Sequence, residues 1–378
     1  MYFTSDSLLP ENQQPLIITV APYGPQWLPS DYPEDIPVSW EAQTQKAVDC
    51  YNAGATVLHL HVRDPKTGHG SKNFNEFNDQ IGRLRKAVPK MIVQVGGSIS
   101  FAPGNDHEKA HWLGYDTRHM LTELNPKPDQ ITIVIGTTQM NILDITTPED
   151  VQGTQLANPA VQAAYQNMVA DASPEFYIEH LKRLRQQRIQ PMFAMAHLHT
   201  LEAIEHLIRT GVYMGPLNHT MTAIGGAGGC GRNPFDFMEW VRRSPHGSIA
   251  TYESLWRTVA PYAAMSVALG IHIRVGIEDN LWRRPGQRMT SVEQVEQVVR
   301  LAKELGRKVA TADEARQILK IGTWYDSVEE TLSSLGLPPN RMAGQLGFIV
   351  KETDGRLKPT MASSDSHPIA GDLPVAAR

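Results

Sequence analysis

The chain has 378 residues, 41% hydrophobic and 20% charged, an ordinary balance for a globular protein with one large core. Its net charge of −5 argues against a nucleic-acid partner, and two cysteines are too few for a disulfide framework. The first residues lack the basic and apolar regions of a signal peptide. The longest nearly apolar run, 260–273, is shorter than the about 20 residues of a membrane span. These features predict a soluble, cytoplasmic protein.

Short β-branched runs alternate with stretches of 3.6-residue periodicity along most of the chain. The runs predict eight strands, at residues 16–22, 56–63, 91–97, 131–136, 191–196, 212–221, 248–254 and 272–279. The first helix is predicted to start at an N-cap, Ser39, and to end at a C-cap, Gly54. Further helices are predicted near 74–88, within 107–124, near 174–187, at 291–306 and within 309–322.

Eight strands of nearly continuous apolar character, each followed by a helix, favour a parallel sheet covered on its outer face. We therefore predict a (β/α)8 TIM barrel over residues 1–322, with an open doubly wound sheet as the alternative. Residues 323–378 form a C-terminal extension, predicted to pack on the barrel or on a neighbouring subunit. Residues 137–172 have little periodicity and are interpreted as an active-site or interface loop.

His59 and His61 stand two residues apart near the end of the second predicted strand, so their side chains share a face. Two imidazoles on one face can chelate a metal, and barrel enzymes place catalytic groups at this end of a strand. The alternative is that both are interior residues with ordinary hydrogen bonds.

The eighth strand supplies carboxylates to the same end of the barrel. Period two puts Arg274 and Glu278 on one face, and Asp279 falls where the strand ends. Unpaired buried carboxylates cost several kcal/mol, so packing alone explains them poorly. Glu278 can complete a two-histidine, one-carboxylate metal site, and Arg274 can pair with Asp279 or hold a substrate carboxylate. An internal Arg–Glu salt bridge is the structural alternative.

Three further segments are candidates for substrate binding. Gly96, Gly97 and Ser98 end the third strand, where a ligand can approach backbone N–H groups, although a tight turn explains them equally well. Thr132, on the fourth strand, can point inward as a donor. The glycine-rich stretch 225–234 can surround an anion or a thioester arm, or serve as a lid, and it does not match the P-loop or dinucleotide-binding patterns.

The segments LHLHVRD (58–64), HIRVGIEDN (272–280) and GGCGRNP (228–234) together resemble the β-keto acid cleavage enzymes. The resemblance extends from Leu16 to about Leu319 and implies zinc held by His59, His61 and Glu278. It also implies condensation of a β-keto acid with acetyl-CoA to give acetoacetate and a new acyl-CoA. In this mechanism Asp279 is the general base, oriented by Arg274.

The resemblance also suggests how the substrate is held. Thr132 falls at a substrate-contacting threonine, and the substrate-binding serine of the family aligns nearest Gly96, with Ser98 close by. A family glutamate after the first strand aligns with Gln26. A neutral amide holds a cationic amino group poorly, so we predict that 5-amino-3-oxohexanoate is not the preferred substrate. The resemblance further implies a homo-oligomer, expected to be a tetramer.

Two other functions compete with this one. A metal-dependent hydrolase of the amidohydrolase type would use His197, His219 and Asp279, but its H-x-H pair belongs on the first strand and a lysine should end the fourth. A non-catalytic, metal-stabilised scaffold would leave Arg274 and Asp279 without a purpose.

Overall fold

The eight predicted strands close into one parallel barrel in a computed structural model that describes residues 1–103, 108–141, 146–223, 233–341, 350–351 and 357–358. The strands are β1 (Ile18–Val20), β2 (Val57–Leu60), β3 (Ile92–Val95), β4 (Gln130–Val134), β5 (Gln190–Met195), β6 (Asn218–Ala223), β7 (Ile249–Ser254) and β8 (His272–Val275). Each strand pairs with its sequence neighbours and β1 pairs with β8, which confirms the (β/α)8 barrel.

Helices follow the strands around the outside of the barrel. They are α1 (Trp40–Ala53), α2 (Phe74–Ala87), α3 (Tyr115–His119), α4 (Pro174–Gln187), α5 (Thr200–Arg209), α6 (Pro234–Arg243), α7 (Val259–Ala268) and α8 (Ser291–Glu304), with α9 (Ala312–Ile318) and α10 (Val328–Ser334) after the last unit. The predicted caps of α1 are confirmed, because the Ser39 side chain accepts a hydrogen bond from the backbone of Ala42 and Gly54 has a φ of +121°.

Several boundaries differ from the prediction. The sixth strand begins at Asn218 rather than 212, because Pro216 precedes it and cannot donate to a ladder. The described part of 137–172, interpreted from the sequence as an active-site or interface loop, contains an antiparallel pair of strands, Thr138–Met140 with Met168–Ala170, and two helices, Pro148–Val151 and Pro159–Tyr165. Two further ribbons pair Trp282–Arg284 with Gln287–Arg288 and Val350–Lys351 with Leu357–Lys358.

The eighth strand is shorter than predicted, and this difference shapes the mouth of the barrel. It stops at Val275 because Gly276 has a φ of +137°, and a Cβ there would lie 2.3 Å from the carbonyl oxygen of Ala21. The chain then turns, with the amides of Asp279 and Asn280 both donating to the Gly276 carbonyl at 3.0 Å. Strict alternation therefore ends before the two acidic residues, and both reach the mouth.

The amino end of the barrel is closed by the segment that follows α8. Leu16 forms a parallel bridge with Val309, and an apolar cluster joins the lower ends of the strands to α9. Residues 323–341 continue over the outside, where α10 contacts α5. Within the described part of the chain, every helix is too short or too polar to cross a bilayer.

Candidate active site

A cavity of about 150 Å³ lies at the carboxyl ends of the barrel strands. It is lined by all ten residues that the sequence analysis proposed for the site: Gln26, His59, His61, Gly96, Gly97, Ser98, Thr132, Arg274, Glu278 and Asp279. They come from five separate segments, so the closure of the barrel brings them together. Their chemical roles remain proposals.

The two histidines face each other and one carboxylate. Nε2 of His59 lies 3.3 Å from Nε2 of His61, and each lies 3.6 Å from Oε1 of Glu278. On the far side of each ring, Nδ1 faces an oxygen: Oε1 of Gln94 at 2.8 Å for His59 and the Ile99 carbonyl at 2.6 Å for His61. With Nδ1 donating in both rings, both Nε2 atoms present lone pairs to the cavity.

Arg274 lies among three carboxylates. Its Nε and Nη2 donate to the two oxygens of Asp279 at 2.9 and 2.8 Å. Nη2 also donates to Glu278 at 2.7 Å, and Nη1 lies 3.2 Å from Glu253. All four residues are at least 92% buried. One guanidinium therefore faces three acidic groups, and the cluster has an excess of two negative charges when all are ionised.

Burial favours the neutral form of the two histidines and of the carboxyl groups of Glu278 and Asp279, so it lowers the pKa of the former and raises that of the latter. It lowers the pKa of His61 to about 4 and that of His59 well below its usual range, with the nearby Arg274 adding to both effects. Burial also raises the pKa of Glu278, against the attraction of Arg274. It also raises that of Asp279 to about 7, against the attraction of Arg274 and with the negative charges of Glu253 and Glu278 adding to the effect.

The donor set fits a divalent cation. His59, His61 and Glu278 offer one ligand atom each, all within 4.8 Å of one another. Three electron-rich atoms that face one another repel unless a cation lies between them. In addition, Oε2 of Glu278 is buried and has no hydrogen-bond partner among the described residues, and a divalent ion would balance the two excess negative charges of the cluster.

The glycines at the end of β3 are required by the close approach of their neighbours. A Cβ at Gly96 would lie 2.2 Å from the His61 ring, and a Cβ at Gly97 would lie 2.1 Å from the Thr132 carbonyl. The amide of Gly97 donates to Oγ1 of Thr132 at 2.6 Å. A serine at position 96 would collide with His61, so Ser98 is the hydroxyl that this turn presents to the cavity.

The loop after β1 carries Gln26 into the cavity. Nε2 of Gln26 donates to the backbone carbonyl of Glu278, and its Oε1 has no partner in the part of the chain that the structure describes. Buried Arg63 holds this loop by donating to the carbonyls of Tyr23, Gly24, Trp27 and Gly68. Arg63 therefore supports the loop and does not belong to the reactive cluster.

Glu253 and the apolar wall of the cavity were not predicted from the sequence. Glu253 lies on β7, accepts from Thr222 and contacts Arg274. Glu253 and Thr251 stand two residues apart on a buried strand, so their side chains share a face. A carboxylate on that face was the available sign of a polar site in the sequence. The wall is formed by apolar side chains: Phe101, Trp112, Val134, Met195, Leu255 and Trp256.

The histidines of the hydrolase alternative do not join the site. His219 is completely buried against Ser248, with Nε2 3.0 Å from its hydroxyl, and neither His197 nor His219 lines the cavity. The amidohydrolase alternative is therefore not supported. Most of the glycine-rich stretch, 225–232, lies outside the described residues.

Comparison with known proteins gives a family match over most of the chain. Residues 15–321 match the model of the beta-keto acid cleavage enzymes. The 3-keto-5-aminohexanoate cleavage enzyme of Acetoanaerobium sticklandii is 28% identical over 309 residues, 81% of this chain and 98% of that protein. A 3-dehydrocarnitine:acetyl-CoA trimethylamine transferase of Rhizobium meliloti is 24% identical over 294 residues, 76% of this chain and 90% of that one.

Solved structures agree on the fold. The apo structure of ObcA superposes with a TM-score of 0.55 at 16% identity and covers 76% of this chain and 66% of that chain. At this identity the likeness supports the barrel architecture alone.

Proposed function

Because the chain belongs to the beta-keto acid cleavage enzyme family, we propose that it converts a β-keto acid and acetyl-CoA into acetoacetate and a new acyl-CoA. The acetyl-CoA-dependent transfer in the name of the R. meliloti relative supports this co-substrate. The observation that carries the proposal is the convergence of His59, His61, Glu278, Arg274 and Asp279 on one cavity.

We further propose that His59, His61 and Glu278 hold one zinc ion. Two imidazoles and a carboxylate are a catalytic zinc set that leaves a position open for substrate. When bound, the ion would act as a Lewis acid for the negative charge that develops on the keto oxygen. Ser98 and Thr132 line the same cavity and are proposed to orient the substrate carboxylate.

Asp279 is the proposed base. It would remove a proton from the carbon between the keto and carboxylate groups, and burial, which raises the pKa of its carboxyl group, makes it a stronger base than a carboxylate in water. Arg274 donates to both of its oxygens and so fixes the carboxylate in place.

The carbanion then attacks the carbonyl of acetyl-CoA, which forms a carbon–carbon bond and releases the CoA thiolate. The thiolate attacks the original keto carbon, and the bond from that carbon to the α-carbon breaks. Acyl-CoA leaves, and the acetoacetate carbanion recovers its proton from Asp279, so the atoms balance.

Two adjacent, isosteric substitutions test these roles. Asp279→Asn should reduce kcat by about 10²- to 10⁴-fold and leave zinc affinity within a few fold, because Asp279 is a base and not a ligand. Glu278→Gln should weaken zinc binding. Both are compared in acetyl-CoA-dependent acetoacetate formation and in competition with a chelator. Unchanged turnover in Asp279→Asn would contradict the proposed mechanism.

We propose a substrate whose side chain is uncharged. The three carboxylates that line the cavity within the described residues all contact Arg274, and Gln26 offers only an amide oxygen. A cationic amino group would therefore find no free anionic partner on this lining, while the apolar wall favours hydrocarbon.

The matched substrates are 5-amino-3-oxohexanoate and its neutral analogue 5-methyl-3-oxohexanoate. The neutral analogue should have the higher kcat/KM, by at least about tenfold, because the ammonium group of the amino-bearing acid would be buried without an ionic partner. A higher kcat/KM for 5-amino-3-oxohexanoate than for 5-methyl-3-oxohexanoate would contradict the proposal.

We also propose that the chain acts in the cytoplasm as a homotetramer, to which the extension 323–378 contributes by packing on the barrel or on a neighbouring subunit. The described part of this extension contacts α5 through α10 of the same chain. Light scattering of the full chain, and of a chain ending at residue 341, would measure the assembly and the contribution of the remainder.

A further inference from the structure

Three buried glutamines continue, strand by strand, the row of barrel residues that begins at His59. His59 on β2 is the cross-strand partner of Gln94, Gln94 of Gln130, and Gln130 of Gln190, so the four residues share one register across four consecutive strands. Each glutamine is at least 97% buried. Barrel interiors are usually filled by Val, Ile and Leu, so packing does not explain three amides here.

The amides form one continuous chain of hydrogen bonds. Nδ1 of His59 lies 2.8 Å from Oε1 of Gln94, and Nε2 of Gln94 donates to Oε1 of Gln130 at 3.0 Å. Nε2 of Gln130 donates to Oε1 of Gln190 at 3.0 Å, and Nε2 of Gln190 donates to the backbone carbonyl of Lys320 at 2.9 Å. The chain runs from the proposed metal site to the loop that closes the amino end of the barrel.

The last member sets the direction of the whole chain. A backbone carbonyl can only accept, so Gln190 must turn its NH2 group toward Lys320 and its oxygen toward Gln130. The same requirement passes to Gln130 and then to Gln94, because reversing one amide would place two oxygens or two NH2 groups face to face in a dry interior. Gln94 therefore presents its oxygen to His59, which must carry its proton on Nδ1.

We propose that Gln94, Gln130 and Gln190 are positioning residues that hold His59 in the Nδ1–H tautomer, with the Nε2 lone pair toward the metal position. This inference rests on the proposed function, in which His59 is a zinc ligand. The network acts through His59 and does not touch the substrate, and outer-shell partners of this kind commonly change metal affinity by about 10- to 100-fold.

Two substitutions at one position separate tautomer control from packing. Gln94→Leu removes the acceptor and should weaken zinc binding by about 10- to 100-fold. Gln94→Glu keeps an oxygen facing Nδ1 while breaking the chain beyond it, so zinc affinity should stay within a few fold of wild type. Gln80→Leu is the matched control, because Gln80 is equally buried but lies on α2 and reaches Thr44 instead.

Zinc affinity is measured by chelator competition on stripped, folded protein, with urea unfolding to compare stabilities. Equal zinc affinities for Gln94→Leu and wild type would overturn the proposal. An equal loss of zinc affinity in Gln94→Leu and Gln80→Leu would also overturn it, since the loss would then reflect a general destabilisation of the fold.

A second readout needs no metal. In stripped protein labelled with ¹⁵N-histidine, long-range ¹H–¹⁵N correlations should show His59 protonated on Nδ1 in the wild type. In Gln94→Leu, His59 should exchange between its two tautomers. Gln190→Leu should shift the tautomer population of His59 in the same direction, although Gln190 reaches His59 only through Gln130 and Gln94. A His59 that keeps the Nδ1–H tautomer in Gln94→Leu overturns the relay. Failure of the wild type to bind zinc would instead overturn the proposed function alone.

Discussion

Replacing Gly96 by alanine is expected to abolish tight metal binding while the barrel stays folded. The added Cβ would lie 2.2 Å from Cε1 and 2.3 Å from Nε2 of His61, whereas ordinary contacts are 3.4–4 Å. The ring must therefore retreat by more than 1 Å, since the backbone of Gly96 is held by the Leu60 carbonyl at 3.1 Å. Metal–ligand distances tolerate only about 0.2 Å, so zinc affinity should fall by at least about 100-fold.

The assay compares metal content after dialysis against a chelator, followed by zinc titration of the stripped protein. Gly82→Ala is the matched control: it lies within α2, and its new Cβ would have only Pro126 as a neighbour, at 4.0 Å. That control should bind zinc normally and gain about 0.5–1 kcal/mol in the free energy of unfolding from its better helix propensity. Wild-type zinc affinity in Gly96→Ala, with His61 still a ligand, would refute the reasoning.

Three further outcomes are expected. Arg63→Met should lower the free energy of unfolding by at least about 3 kcal/mol in urea titrations, because it removes the hydrogen bonds to the carbonyls of Tyr23, Trp27 and Gly68; a loss below about 1 kcal/mol would contradict this. Burial lowers the pKa of His180 and His219 to about 3, so between pH 6.5 and 3 the unfolded chain binds protons that the folded chain excludes, and stability falls as pH falls. At pH 5 each histidine should cost about 2 kcal/mol, and His219→Leu should reduce the difference between urea titrations at pH 7.5 and pH 5. Thr132→Val leaves the amide of Gly97 unpaired and should destabilise the fold by about 1–3 kcal/mol, whereas wild-type stability would show that another group accepts this bond.

Much of the barrel could be predicted from local pattern. Eight short apolar runs separated by helical periodicity require a covered parallel sheet, and that requirement does not depend on distant contacts. The caps of α1 were predictable for the same reason, because Ser39 and Gly54 act on their own helix. Boundaries were less certain where a single residue ends an element, as Gly276 does for β8.

The reactive residues were also visible in the chain, because histidines and carboxylates at the ends of buried strands are costly without a partner. Their relation to one another was not visible. Only the closed barrel shows that Arg274 contacts Glu253, Glu278 and Asp279 together, and that burial of this cluster raises the pKa of Asp279.

By itself, the sequence determined the alternation of eight strands with helices, the histidine pair on β2 and the acidic end of β8, because each depends on neighbours within a few residues. The tertiary structure alone decided which groups meet across strands: Gly96 against His61, Gln26 against Glu278, and three glutamines in register with His59. The physical reason is that strand register and barrel closure are collective properties, set by the packing of all eight strands together.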